Sequence, residues 1–170
     1  MNVRIIFAVS ALMSFVSSVV AARLYAWPWL RARGRGQALA SLVTPHMFLR
    51  FIGLSFLVPG VVSPSLPASL AVPAAYGDLA AGILAIGAAT ALKRLASWAI
   101  PAVWLFNIWG AADLLFAIYE GARSRIDPGA LGAAFYLPTA IVPPLLVSHM
   151  LIFALLIRAK RVGLEEATAG

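Results

Sequence analysis

The sequence predicts an all-α protein, a single transmembrane bundle of about five helices with its N-terminus outside and its C-terminus cytoplasmic. Three observations predict it. Of the 170 residues, 62% are hydrophobic and 11% charged, well below the roughly one-quarter charged share of soluble domains. Mean hydropathy is +0.94. Apolar stretches of about 20 residues, the length that crosses a bilayer as helix, recur along the chain and leave no room for a soluble domain.

The first stretch covers residues 5–22. Arg4 before it and Val20-Ala21-Ala22 at its end would also suit a cleaved signal peptide, a reading that the charge distribution below disfavours. The second covers 42–62, with Pro45 near its entry, and a loop with Pro64, Pro67 and Pro73 follows. The third covers 74–92 and stops at Lys93-Arg94. The fourth covers 98–119, with Pro101 in its first turn, where the missing N–H is tolerated. A polar stretch over 120–129 precedes the fifth, 131–157, and residues 158–170 form a short cytoplasmic tail.

Orientation follows from the cations. With the N-terminus outside, the inner side collects Arg23, Arg31, Arg33, Arg35, Lys93, Arg94, Arg158, Lys160 and Arg161, leaving Arg4, Arg123 and Arg125 outside. Cytoplasmic loops carry the excess of Lys and Arg, and a cleaved signal peptide would need the reverse arrangement. Tyr25, Trp27, Trp29 and Trp98 then lie near the inner face and Tyr76, Tyr119 and Tyr136 near the outer, where amphipathic rings are favoured. The net charge of +7 is accounted for by loops beside anionic lipid. No nucleic-acid partner is expected, and the tract from Arg31 to Gly36 is too short for a nucleic-acid arm. The absence of cysteine excludes disulfides, thiolate chemistry, iron–sulfur clusters and cysteine zinc sites. The Ala/Arg/Gly/Pro-rich composition suits a bacterial source, so the expected location of these spanning helices is a bacterial inner membrane.

In lipid, helices associate through close approach at small residues. Gly77, Ala81, Ala85 and Ala89 follow at four-residue spacing along one face of the third helix. They predict a tight seam, within the chain or against a second copy. Pro138, Pro143 and Pro144 fall inside the fifth stretch and predict a kink or break near the bilayer middle. Transporters use such breaks to build binding sites.

Few polar residues fall at membrane depth. Asp78 and Asp113 sit about a turn and a half inside the outer boundaries of their helices. They would share a proton or hold a cation, or pair with Arg123 or Arg125. Arg50, Asn107 and His149 are expected in the inner half, with His46 one turn from Arg50 on the same helix face. These four form a candidate pocket for an anionic or quinone-like headgroup, against interhelical hydrogen bonding as the structural alternative. The two histidines would also offer axial ligands to haem. Depths differing by about 10 Å argue against it, so no cofactor and no metal is expected.

The segments Arg50-Phe51-Ile52-Gly53, Phe56-Leu57-Val58-Pro59-Gly60 and Ala75-Tyr76-Gly77-Asp78-Leu79, running on to Gly82, resemble the DoxX-like group of small bacterial membrane proteins. The resemblance covers about residues 48–118. It departs from that group in Asp78, where glutamate is usual, in lacking a lysine after Gly60, and in an extra helix. What it implies is a small accessory membrane protein.

No catalytic constellation stands out, so the leading expectation is a non-enzymatic accessory subunit or assembly factor. Its partners would be the lipid bilayer and other membrane proteins or a second copy of the chain. The first alternative is a proton- or ion-coupled carrier using Asp78, Asp113 and the proline-broken fifth helix. The second is a redox or lipid-headgroup protein using His46, Arg50 and His149.

Overall fold

A computed structural model describes residues 2–168, with side chains as far as Arg158. Lys160 and Arg161 lie outside the described side chains. Among the described residues five helices are long and apolar enough to cross a membrane: α1, Val3–Arg31; α2, Arg35–Leu57; α3, Ala68–Lys93; α4, Ala99–Arg123; and α5, Leu137–Arg158. Helix continues beyond α5's apolar part to Thr168. No β-strand occurs among the described residues.

α1, α3 and α4 run past the ends of their apolar stretches, α2 both starts and stops earlier than the 42–62 run, and Pro73, expected in the loop, lies inside α3. α1 opens on Asn2, whose side chain accepts the Arg4 N–H at 2.9 Å, satisfying an otherwise free helix-end donor. It continues past residue 22 to Arg31 through a π turn at Ala22–Ala26, in which the Trp27 N–H reaches the Ala22 carbonyl. Pro28 follows that turn. A proline ring clashes with the carbonyl four residues back, and the wider π turn moves that carbonyl aside. α2 starts at Arg35 and tightens into 3-10 helix over Arg50–Leu57. With three residues per turn, Arg50, Gly53 and Phe56 line up on one face.

The fifth apolar stretch is not one helix broken at its middle. Pro128–Phe135 forms a separate 3-10 segment. Gly132 breaks it with φ 52°, in the left-handed region, where a Cβ would also collide with the Val61 carbonyl. The carbonyl of Val61 instead accepts from Ala133 N–H at 2.9 Å. Only then does α5 begin, so Pro138 falls in its first turn. Pro143 and Pro144 follow a π turn at Leu137–Ile141 and sit in a helix that runs on unbroken. The expected mid-bilayer break is therefore corrected to a junction at one end of the bundle. Local backbone geometry absorbs the missing donors there.

α3 is the central helix, packed against α2 and α4, while α1 leans on α5. Its buried face is almost wholly alanine and glycine, including Ala74, Ala75, Ala81, Gly82, Ala85 and Ala88. Side chains this small let neighbouring backbones approach. Two apolar clusters close the bundle. At the Lys93 end, Leu39, Val43, Leu92, Val103, Phe106 and Ile152 pack together. At the Arg125 end, Leu66, Leu70, Ala71 and Leu131 do so, with Phe7 and Phe56 against them. Between the two lies the polar centre of the molecule.

Candidate functional site

Arg50 is fully buried. Its Nη1 donates to Asp78 Oδ1 on α3 and, at 3.1 Å, to Asp113 Oδ2 on α4. Its Nη2 donates to the Gly110 carbonyl on α4 and faces His149 Nε2 on α5 at 3.5 Å. The two Nη atoms thus have all four of their N–H bonds directed at acceptors from three helices. Nε alone has no hydrogen-bond partner among the described residues.

Behind His149 the bonding fixes the tautomer. Asn107 Nδ2 donates to the His149 backbone carbonyl at 3.3 Å, so its Oδ1, 2.7 Å from His149 Nδ1, is the acceptor. Nδ1 therefore carries the ring proton, and Nε2 turns a lone pair towards the guanidinium. His46 is ordered likewise. The Ser148 hydroxyl donates to the Leu145 carbonyl at 2.7 Å, leaving its oxygen to accept from His46 Nε2, also at 2.7 Å. The two imidazoles touch, with ring centroids 4.5 Å apart, and Phe106 packs on both.

Glycines make the space. A Cβ at Gly53 would lie 2.6 Å from Asp78 Cβ, one at Gly77 2.7 Å from Asp113 Cγ, and one at Gly110 2.6 Å from His149 Cε1. No side chain fits at such separations. Three helices thus each contribute a glycine against a polar side chain of another. At Gly77 the freed carbonyl also accepts from Trp109 Nε1 at 3.3 Å.

With both carboxylates ionised, one guanidinium faces two negative charges and the cluster carries one charge in excess. An excess charge buried away from bulk water requires a proton, a cation or hydration. Both carboxylates line a cavity of about 570 Å³. Its walls are apolar: Phe7, Ala11 and Phe15 from α1, Phe56 from α2, Leu114 from α4 and Leu146 from α5. Arg4, one turn before Phe7, and Arg125, beside Ile126, also line it; Phe7 and Ile126 pack on the Leu66–Leu131 cluster, about 15 Å along the helix axes from the two carboxylates. Arg125 holds a left-handed backbone, φ 48°, at the exit of α4, where glycine is the common residue.

The sequence matches the family described as Domain of unknown function (DUF8737) over residues 6–157. The chain belongs to that family. No curated protein and no solved structure matches it. The matched region contains every residue of the polar cluster and the cavity walls, apart from Arg4.

The structure joins two groups of residues that sequence reasoning had kept apart. Asp78 and Asp113 meet Arg50, rather than Arg123 or Arg125; Arg123 instead pairs with Glu120 on its own helix at 2.7 Å. His46 and His149 are in contact instead of about 10 Å apart in depth. Both corrections have one cause. The apolar stretch begins at residue 42, but α2 starts at Arg35, which carries His46 and Arg50 about two turns further along the axis. The histidine rings pack on each other and on Phe106, an arrangement with no gap between them for a haem plane. Of the small-residue series, Ala81 and Ala85 are fully buried, Gly77 faces Asp113, and Ala89 is half-buried. That seam lies inside the chain, between α3 and its neighbours.

Sequence reasoning missed Gly53 and Gly110 as spacers, the Gly110 carbonyl as a ligand for Arg50, and Ser148 as the partner of His46. It also missed a second small face, Ser10, Ser14, Ser18 and Ala22 on α1, whose four-residue spacing was visible. Among the described residues no group of His, Asp or Glu side chains is arranged to hold a metal.

Proposed function

We propose that this is an integral protein of a bacterial inner membrane, N-terminus outside, that binds an amphipathic small molecule in its cavity and exchanges a proton at Asp78 and Asp113. It is a carrier-type membrane protein rather than an enzyme. The observation that carries the reading is the single guanidinium facing two buried carboxylates at the end of an apolar cavity. Protonation removes the excess charge, so the cluster's charge state and the occupancy of the cavity are linked. The charged and titratable groups packed around Asp113 are Arg50 and Asp78, with His149 beyond Arg50 and His46 behind His149.

The sign follows from charge alone. Lower pH adds the proton and favours a neutral or anionic occupant; higher pH removes it and weakens that preference. Infrared difference spectra of the protein in lipid nanodiscs test the reading directly. A protonated-carboxyl band should grow in as pH falls, and Asp113→Asn or Asp78→Asn should remove or displace it. Absence of the band at every pH where the protein remains folded would overturn the proposal.

The DoxX-like resemblance rests on segments that contribute Arg50, Gly53, Gly77 and Asp78. The accessory-subunit reading has one observation in its favour. Ile5, Val9, Leu12, Val16 and Val20 make an exposed apolar stripe along α1 that a partner helix would cover as well as lipid does. Native mass spectrometry of the gently solubilised protein separates the two, since a retained protein partner supports the subunit and a retained small molecule the carrier.

A further inference from the structure

The cavity's charge arrangement names the class of its occupant. Arg4 and Arg125 come from separate elements, the first turn of α1 and the exit of α4, yet both line the cavity, beside Phe7 and Ile126, which pack on one apolar cluster at that end of the bundle. Asp78 and Asp113 line the other end, with Arg50 directly behind them. Three cations against two carboxylates leave the surroundings net positive, and more so once the cluster takes up its proton. Between the two ends the walls are apolar. Arg4, Phe7, Ala11 and Phe15 follow at helical spacing on one face of α1, so a single helix presents the cation and the apolar wall together. The volume, about 570 Å³, falls within the roughly 300–1,000 Å³ of pockets that enclose one drug-sized ligand.

We propose that the cavity binds a single-chain anionic amphiphile, its carboxylate held between Arg4 and Arg125 and its alkyl chain lying along the apolar walls towards Asp113. This rests on the reading of the cavity as a ligand chamber and names the ligand's chemistry. Arginine is suited to the task, because its fork of N–H donors meets a carboxylate in two parallel hydrogen bonds. The carboxylate stays at the wet end of the cavity, where an anion is least costly to hold. The chain runs where water gains least.

The test uses the full-length protein in phosphatidylcholine nanodiscs, with empty nanodiscs as the partition control. Palmitate should bind saturably beyond the control, and hexadecyltrimethylammonium, of equal chain length and opposite charge, should bind about tenfold more weakly or not at all. Arg4→Gln and Arg125→Gln should each weaken palmitate binding about tenfold. Arg123→Gln should leave it unchanged, because Arg123 is paired with Glu120 and does not line the cavity. Equal binding of the two amphiphiles would overturn the proposal, and that comparison needs no variant to fold. Unchanged affinity in both cavity-arginine variants would overturn it as well. Native mass spectra of protein from membranes add a second arm, in which a retained fatty acid supports the assignment and a retained two-chain anionic phospholipid in the same stoichiometry refutes it. If the carboxyl band titrates but palmitate does not bind, the proton-exchanging cluster stands and this assignment alone fails.

Discussion

Arg50 holds four elements together from one guanidinium, and its surroundings leave little tolerance. Arg50→Gln would leave two carboxylates buried without their cation. Removing one partner of a buried ion pair typically costs about 3–5 kcal/mol, so thermal unfolding in detergent should show a large loss of stability. Adding Asp113→Asn to that variant should restore part of the loss, since it removes a charge that no longer has a partner; a double variant no more stable than the single one would contradict the ion-pair account. The glycines make an independent prediction. Gly77→Ala places a methyl group 2.7 Å from Asp113 Cγ. Overpacking at a close-packed site costs about 1–3 kcal/mol. Gly87→Ala on the same helix, where the space is open, should be neutral or slightly stabilising by the same assay.

At the scale of elements, α1 differs from the other helices. The polar cluster ties α2, α3, α4 and α5 and includes nothing from α1. α1 leans on α5, its serines Ser10, Ser14 and Ser18 are half-buried and its Ala22 buried, and the Phe7 ring meets that of Phe135 edge-on at 5.7 Å. Since α1 also forms one wall of the cavity, its docking decides whether the cavity exists. Ser14→Leu should separate it from α5 at a cost of about 1–3 kcal/mol and abolish saturable ligand binding. Leu12→Ala, on the exposed face, should change stability by less than about 0.5 kcal/mol. Equal effects of the two would show that α1 does not pack through its small face.

At the scale of the whole molecule, orientation is directly measurable because the chain has no cysteine. Ser65 lies in the loop between α2 and α3 and Gly34 in the turn between α1 and α2, both exposed. A membrane-impermeant maleimide should label Ser65→Cys in intact cells and leave Gly34→Cys unlabelled until the membrane is opened. The opposite pattern would reverse the assignment of both faces, placing Arg4 and Arg125 on the cytoplasmic side.

Helix content and number were legible in the sequence, because a run of apolar residues long enough to satisfy its own backbone in lipid is a local property. The side chains that matter were legible too, since a charge or an imidazole stands out in an apolar helix; Arg50, Asp78, Asp113, Asn107, His46 and His149 could all be singled out. Their meeting in one cluster was not. Apolar runs mark where hydrophobicity ends rather than where hydrogen-bonded helix ends, so depths counted from residue 42 placed Arg50 about 12 Å along α2 instead of the about 22 Å measured from Arg35. Azimuth was hidden as well. Which face of α3 turns towards α4 depends on how alanines and glycines from three helices interlock, and only the packed structure decides that. The cavity and the two arginines that line it belong to the same class, formed by residues distant in sequence that no local pattern brings together.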